Sequence, residues 1–256
     1  MTIAAAHVAG EDDGDLPVII DTDANANAVG EGMFGSAVGC DSYVLFTIGS
    51  GLGAGVVSGG RLVTGGSEGI AANLGHYALD PEHGRACACG HHGCAETIVS
   101  GPALAASTGA ASADSVVAAA RNGDTAARTA IRAMARALGH VAAVAAAVVD
   151  PQVIVIGGGL GAAAFDLLVP PAQTEMYRRL PTSFAGRIAF RRAGLSSPAI
   201  GAASLIFSRL DPRQARAGTR LVSPCSGGGG ITGDTSVAPA GATDSLSPNI
   251  SADERS

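Results

Sequence analysis

With 256 residues, 47% apolar side chains and 37 glycines, the chain can bury one sizeable core or two modest ones, and it reads as a soluble globular protein. Its formal charge is −6, no lysine occurs and no basic run is present, so neither DNA nor an anionic membrane is an electrostatically favoured partner. Nucleic acid and membrane are therefore set aside.

The amino terminus, MTIAAAHVAGEDDGD, lacks the basic segment and continuous apolar stretch of a signal peptide, and the longest apolar run, Val141 to Val149, is too short to span a bilayer. The expected location is the cytoplasm. Leu16 to Ile20 reads as a buried strand that stops at Asp21-Thr22-Asp23, and ANANAVGEGMFGSA then reads as a helix capped at its start. Tyr43 to Ile48, Ala54 to Val57 and Arg61 to Val63 are β-rich pieces separated by GSGLG and SGG, a meander with tight glycine turns. From Gly101 to Val149 the pattern is helical, with breaks around Thr108 to Ser112 and at Asn122-Gly123. Thr125 to Val149 is the longest of these pieces, apolar on one side as a helix packed on a sheet should be. Gln152 to Ile156 is a continuous apolar strand running into three glycines, followed by a helix, a strand at Arg187 to Arg191 and a last helix from Ala199 to Arg209. The alternation predicts an α/β fold. Beyond Leu210 the chain is rich in Ser, Gly, Pro and Thr, and residues 211–256 are expected to be a disordered tail.

Three of the five cysteines and four of the six histidines fall in GHYALDPEHGRACACGHHGCAE, residues 75–96. Cys87, Cys89 and Cys94 have the spacing C-x-C-x4-C, and turns at Gly90 and Gly93 can fold three thiolates around one tetrahedral ion. An odd, clustered set of cysteines fits a reducing compartment and a metal site better than a disulfide framework. A fourth ligand is needed. His76 is taken for it; His83, His91 and His92 lie nearer in sequence, and spacing alone does not separate them from it. Zinc there would fix a loop with almost no core of its own.

Two glycine-rich turns follow strands. In T-I-G-S-G-L-G-A-G, residues 47–55, backbone amides can close around phosphate without a lysine, with Gly49, Ser50, Gly51 and Gly53 as the candidate loop. In V-I-G-G-G-L-G, residues 155–161, Gly157, Gly158 and Gly159 lead from a strand into a helix, where amides favour an anion or a nucleotide. A dinucleotide fingerprint is the rival reading of the second turn.

Taken in order, D-A-N at 23–25 with Glu31, G-S-G-L-G-A-G, G-H with C-x-C-G-x-x-G-C-x-E, S-G-P-A-L, D-P-x-V-I-V-I-G-G-G and a late I-G-A-A resemble the ROK family of repressors and sugar kinases over about residues 17–207. The resemblance implies an actin-like, ribonuclease-H-like sugar kinase fold, a structural zinc held by one histidine and three cysteines, and ATP with magnesium as phosphoryl donor. By position, Asp23 matches the family's catalytic base. Thr22 and Asn73 stand at sugar-contacting positions, His76 matches a histidine that binds zinc and touches the sugar, and Glu96 matches a sugar-binding glutamate. Gly49, Gly51 and Gly53 match the phosphate loop, and Gly157 to Gly159 the nucleotide end. Without this resemblance Asp23 reads as a plain helix cap and Glu96 as a solvated charge.

Three departures from the family pattern bear on function. Thr22 stands where the family usually has Asn, and the family's G-E-x-G-H is here A-N-L-G-H, so Asn73 replaces a charged acceptor by an amide that also donates. The family also begins with an Asp-x-Gly-Gly-Thr turn facing the ATP phosphates, which nothing before Asp23 supplies. The fold is thus expected to be incomplete at the amino terminus, with residues 1–40 a remnant of the amino-terminal lobe and 41–210 the carboxy-terminal lobe. On that expectation the strand at 16–20 keeps unpaired edges, and the chain is a fragment or a non-catalytic member with little turnover of its own. The implied activity is phosphorylation of a hexose or N-acetylhexosamine, of glucokinase or N-acetylmannosamine kinase type. The other class is a sugar-sensing regulator that binds sugar without phosphoryl transfer; the first fifteen residues are too few for the helix-turn-helix such regulators carry. Family members commonly dimerise, and a homodimer is the implied assembly.

Overall fold

Alternation along one strand sets the architecture. In β3 (Tyr43–Ile48), Val44, Phe46 and Ile48 face one layer of helices, while Tyr43 and Leu45 face another. The structure, a computed structural model, describes residues 3–6, 19–66, 70–195 and 197–210; the predicted tail lies outside the described residues. β3 is the middle of a five-stranded sheet with β4 (Leu52–Ser58), β5 (Arg61–Leu62), β6 (Val153–Gly157) and β7 (Ala189–Arg192) in the order β5-β4-β3-β6-β7. The meander β3-β4-β5 is antiparallel and β6 and β7 are parallel to β3, so the expected α/β class holds.

The first face carries the larger core. Val44, Phe46, Ile48, Ile154 and Ile156 pack with Met134, Leu138 and Val141 of α4 (Thr125–Val149) and with Leu168 and Met176 of α6 (Phe165–Arg178). α4 is long and apolar enough to cross a membrane, yet 56% of its most apolar window is buried inside the structure. Here it acts as a core helix, and α6 approaches so closely that a Cβ on Gly139 would lie 2.4 Å from Ala172 O. The breaks read from sequence coincide with caps. Ser100, Ser112 and Asp124 accept the N–H of the third residue beyond them and so start α2 (Gly101–Thr108), α3 (Ala113–Arg121) and α4.

The second face is covered by α1 (Asp23–Phe34), through Ala28 against Tyr43, Leu45 and Val57. Close approach here depends on missing side chains. A Cβ on Gly55 would lie 2.6 Å from both Ala24 O and Ala28 Cβ, and α7 (Pro198–Leu210) crosses α1 where a Cβ on Gly201 would lie 2.9 Å from Ala26 C and O. The Tyr43 hydroxyl donates to Ala28 O at 2.8 Å, and burial, then the negative charge of Glu31, push its pKa up.

Boundaries differ from expectation by one residue at β5 and β6 and by two at one end of β2, β4 and β7. Of the strand predicted at 16–20, residues 16–18 lie outside the described residues; the rest is found in β2 (Ile19–Thr22), which runs two residues past the predicted end and has one edge paired antiparallel with β1 (Ile3–Ala6), Ala6 opposite Ile19. β4 begins at Leu52 because glycines pair by backbone as well as any residue, although they carry no strand signal. β7 begins at Ala189 rather than Arg187 because the Tyr177 hydroxyl engages Ile188, accepting from its N–H at 3.1 Å and lying 3.0 Å from its carbonyl oxygen. Gly201→Ala should destabilise the chain by about 1–3 kcal/mol through overpacking between α1 and α7. A urea midpoint equal to that of the unaltered chain would show that the two helices separate freely.

Candidate functional site

Residues 77–95 are held mainly by backbone bridges, with Leu79 and Ala95 reaching the larger core. Ala78 pairs with Cys94 and Ala86 with His92, Cys87 N donates to His91 O at 2.8 Å, and Gly90 N donates to Cys87 O at 3.0 Å. Gly90 and Gly93 have φ of 93° and 69°, and a Cβ on Gly93 would lie 1.8 Å from Asp80 O, so glycine is required at that turn. His76 ends a 3-10 turn (Leu74–His76) that brings its Nδ1 to 3.5 Å from Cys87 Sγ, and Cys89 Sγ is 3.5 Å from Cys94 Sγ. The four ligand atoms of His76, Cys87, Cys89 and Cys94 all lie within 4.8 Å of one another. A tetrahedral zinc with Zn–S near 2.3 Å needs ligand separations of about 3.8 Å, which this group fits. His91 approaches Cys89 at 3.9 Å but stays exposed outside the group, and His83 turns to Asp80 at 3.6 Å. Without metal, burial pushes the Cys94 thiol up to about 12, while the His91 amide and then its imidazole draw Cys89 down to about 6.

Cys94 also opens the 3-10 turn Ala95–Thr97, which carries Glu96. Glu96 Oε2 accepts the N–H of Leu52 at 3.1 Å, and a Cβ on Gly51 would lie 2.3 Å from that oxygen. The segment that carries His76 touches the same place, since a Cβ on Gly75 would lie 2.1 Å from Leu52 O. The β3–β4 turn is thus pinned from two sides. Gly49 O accepts from Gly101 N at 2.7 Å, Gly49 N donates to Gly51 O at 3.0 Å, and Ser50 is exposed at the tip.

Asp23 is the first residue of α1, half-buried, with Oδ1 accepting the N–H of Ala24 at 2.9 Å. Thr22 is the N-cap; its Oγ1 accepts from Asn25 N at 3.2 Å, which leaves the hydroxyl hydrogen for another acceptor. A Cβ on Gly53 would meet Ala24 Cβ at 3.1 Å, so the start of α1 rests on β4 just past the turn. Asn25, part of the D-A-N motif, has no role assigned from the sequence. It is 1% exposed, donates Nδ2 to Asp21 Oδ1 at 2.7 Å, and has no partner for Oδ1 among the described residues. A polar residue between alanines on the buried side of an amphipathic pattern was the available signal. Asn73 lies at the start of the Leu74–His76 turn, exposed and without a side-chain cap bond, after Ala72 at φ 62°.

The second glycine turn meets the first through the sheet. Gly157 pairs with Thr47, and Gly158, at φ 78°, is so close to β3 that a Cβ would lie 2.5 Å from both Ile48 N and O. Gly159 starts the short α5 (Gly159–Ala163) with nothing within 4 Å of its would-be Cβ. Beside the end of α5 lies an open cleft of about 340 Å³ lined by Asp114, Val117, Arg121, Asn122 and Ala163. Arg121 closes one wall, donating to Ala163 O at 2.7 Å and to Asp166 Oδ1 at 2.9 Å.

Residues 10–209 match the family model described as the ROK family. This chain belongs to the ROK family. It is 34% identical over 214 residues to a glucokinase of Thermotoga maritima, covering 75% of this chain and 67% of that protein. It is 40% identical over 155 residues to an N-acetylmannosamine kinase of Escherichia coli, covering 58% of this chain and 52% of that protein. The chain thus spans about half to two thirds of the length of these relatives. Among solved structures, a ROK family glucokinase from Streptomyces griseus, in complex with glucose and AMPPNP, superposes with a TM-score of 0.66 at 30% identity, covering 77% of this chain and 69% of that one. A ROK family transcriptional regulator, described as a homologue of the E. coli MLC protein, superposes with a TM-score of 0.68 at 28% identity, covering 77% and 53%. The mixed sheet and its helices agree with the actin-like fold of ROK sugar kinases over the part covered.

The ligand geometry predicts uptake of about one zinc per chain, with Cys89→Ser lowering metal content and thermal stability together. His83→Ala should retain the metal. Elemental analysis of purified protein checks both, and a metal-free chain with unaltered melting would count against the site.

Proposed function

We propose that this chain carries the sugar and phosphate site of an ATP-dependent ROK sugar kinase acting on a hexose or N-acetylhexosamine in the cytoplasm. The observation that carries this reading is convergence: the start of α1, Glu96 and the Gly158 turn all abut the ends of β3 and β4 around residues 48–53. In-line phosphoryl transfer needs a carboxylate at the accepting hydroxyl and a donor-rich cradle for the phosphates. Asp23 takes the first role, receiving the sugar hydroxyl proton on its carboxylate. Gly49, Ser50, Gly51 and Gly53 supply the cradle, and Gly157 to Gly159 with the neighbouring cleft receive the nucleotide. Magnesium, when bound with ATP, neutralises charge on the phosphates. Thr22, Asn73, His76 Nε2 and Glu96 face the sugar. Zinc on His76, Cys87, Cys89 and Cys94 orients His76 and Glu96 and takes no part in the transfer. Residues 41–210 form the carboxy-terminal lobe in this reading.

The similarity to a ROK transcriptional regulator favours a second reading, sugar binding without transfer. One pair of measurements separates them. Asp23→Asn should reduce ATP-dependent phosphorylation by about 10²–10⁴-fold while glucose affinity by titration changes less than about twofold, because the amide keeps the shape and loses the base. Sugar-dependent transfer by the unaltered chain excludes the sensor; normal transfer by the Asn variant removes Asp23 as base. Sugar preference is expected to follow Asn73. Asn73→Glu should shift discrimination toward glucose over N-acetylmannosamine by about tenfold, roughly 1–3 kcal/mol for one misplaced polar contact. An unchanged affinity ratio would take Asn73 out of the pocket.

A further inference from the structure

Glu31 follows Asp23 by eight positions on α1, about 12 Å along a helix rising 1.5 Å per residue, so the two side chains belong to opposite ends of the rod. It is 1% exposed. A carboxylate so far from water must have its charge met by donors, and three backbone amides meet it. Oε2 accepts from Ser36 N at 2.6 Å and Gly194 N at 3.0 Å, and Oε1 accepts from Gly194 N at 2.9 Å and Leu195 N at 3.0 Å. Ser36 lies just after α1; Gly194 and Leu195 lie just after β7. Room for the carboxylate comes from Gly35, where a Cβ would lie 2.1 Å from Oε2.

The loop that Glu31 grips also flanks the second glycine turn. Ala193 N donates to Ile156 O at 2.9 Å, and a Cβ on Gly157 would meet Ala193 Cβ at 3.1 Å. Two more bonds bind the same loops, Ser36 Oγ to Arg192 O at 2.5 Å and Arg191 Nη1 to Ser36 O at 2.9 Å. α1 rests on the sheet at Ala24 and Ala28, where Gly53, Gly55 and Tyr43 touch it. These contacts are to glycines and backbone and let a helix slide or tilt, so a tie at its far end helps set where its first residues stand, and without that tie the helix shifts as a rod.

We propose that Glu31 is a positioning residue: by tying the carboxy-terminal end of α1 to the loop after β7, it sets where Asp23 stands relative to the Gly157 to Gly159 turn. The proposal rests on the reading of Asp23 as the base. The alternative is that Glu31 only satisfies its own loop.

Amide hydrogen exchange by NMR on the full chain separates the two, using Glu31→Gln and Gly35→Ala. The glutamine keeps the length of Glu31 but turns an NH₂ toward groups that donate, and the alanine keeps the carboxylate but displaces it. In both variants exchange should quicken by about tenfold or more at Ser36, Gly194 and Leu195, and by about threefold or more at Ala24 and Asn25 at the far end of α1, with β6 amides unchanged. Faster exchange confined to the first three amides would overturn the proposal. If Glu31→Gln quickens β6 as well, the substitution has loosened the whole chain and Gly35→Ala decides by the same criterion. Where the unaltered chain phosphorylates sugar, both variants should lose kcat by about tenfold with the KM for sugar unchanged, and an equal loss through KM would also overturn the proposal. Absence of turnover in the unaltered chain would count against the kinase reading and leave the exchange pattern to decide on Glu31.

Discussion

The hydrogen bond from Leu52 N to Glu96 is the contact on which the site's geometry depends. It joins a turn built from glycines, which has little stiffness of its own, to a carboxylate that follows Cys94, a member of the His/Cys cluster, by two residues. The turn inherits the rigidity of the four-ligand cluster, and Gly75, pressed on Leu52 O, adds a second strut from the His76 side. A loop that reaches the core mainly through Leu79, Ala95 and the Tyr77–His140 ring contact thereby fixes one wall of the site.

The same economy governs the other walls. Glycines at 53, 55, 158 and 201 leave room for backbone rather than for side chains, so α1, β3, β4 and α7 approach closely enough for Asp23 and two glycine turns to share one end of the sheet. Buried polar groups then hold what close packing cannot orient: Tyr43 on Ala28 O, and Glu31 on the amides of Ser36, Gly194 and Leu195. Each is a buried donor or acceptor with its partner in place, and removing one partner would strand the other at a cost of about 1–3 kcal/mol.

Much of this was legible in the sequence because the signals were local. The C-x-C-x4-C spacing places three thiols within reach of one ion whatever the rest of the fold does, and strand, acidic turn, helix locates Asp23 within α1. The breaks around Thr108 to Ser112 and at Asn122-Gly123 fell where α2 gives way to α3 and α3 to α4. What stayed hidden was non-local. Neither the grip of Glu96 on Leu52, across 44 positions, nor that of Glu31 on Gly194, across 163, has a periodicity or spacing to announce it. The strand boundaries went wrong for a related reason: β4 includes glycines that pair without side-chain signal, and β7 gives up its first residues to the Tyr177 hydroxyl. His76 stood among four histidines of equal spacing merit until the Leu74–His76 turn brought it to Cys87.

Metal at the cysteine cluster should hold the β3–β4 turn through Glu96. Exchange of the Leu52 amide in zinc-loaded protein, before and after removal of the metal by a chelator, tests it most directly. The account predicts that chelation quickens Leu52 exchange by about tenfold or more while amides of β6 keep their rates. An unchanged Leu52 rate in metal-free, folded protein would contradict it.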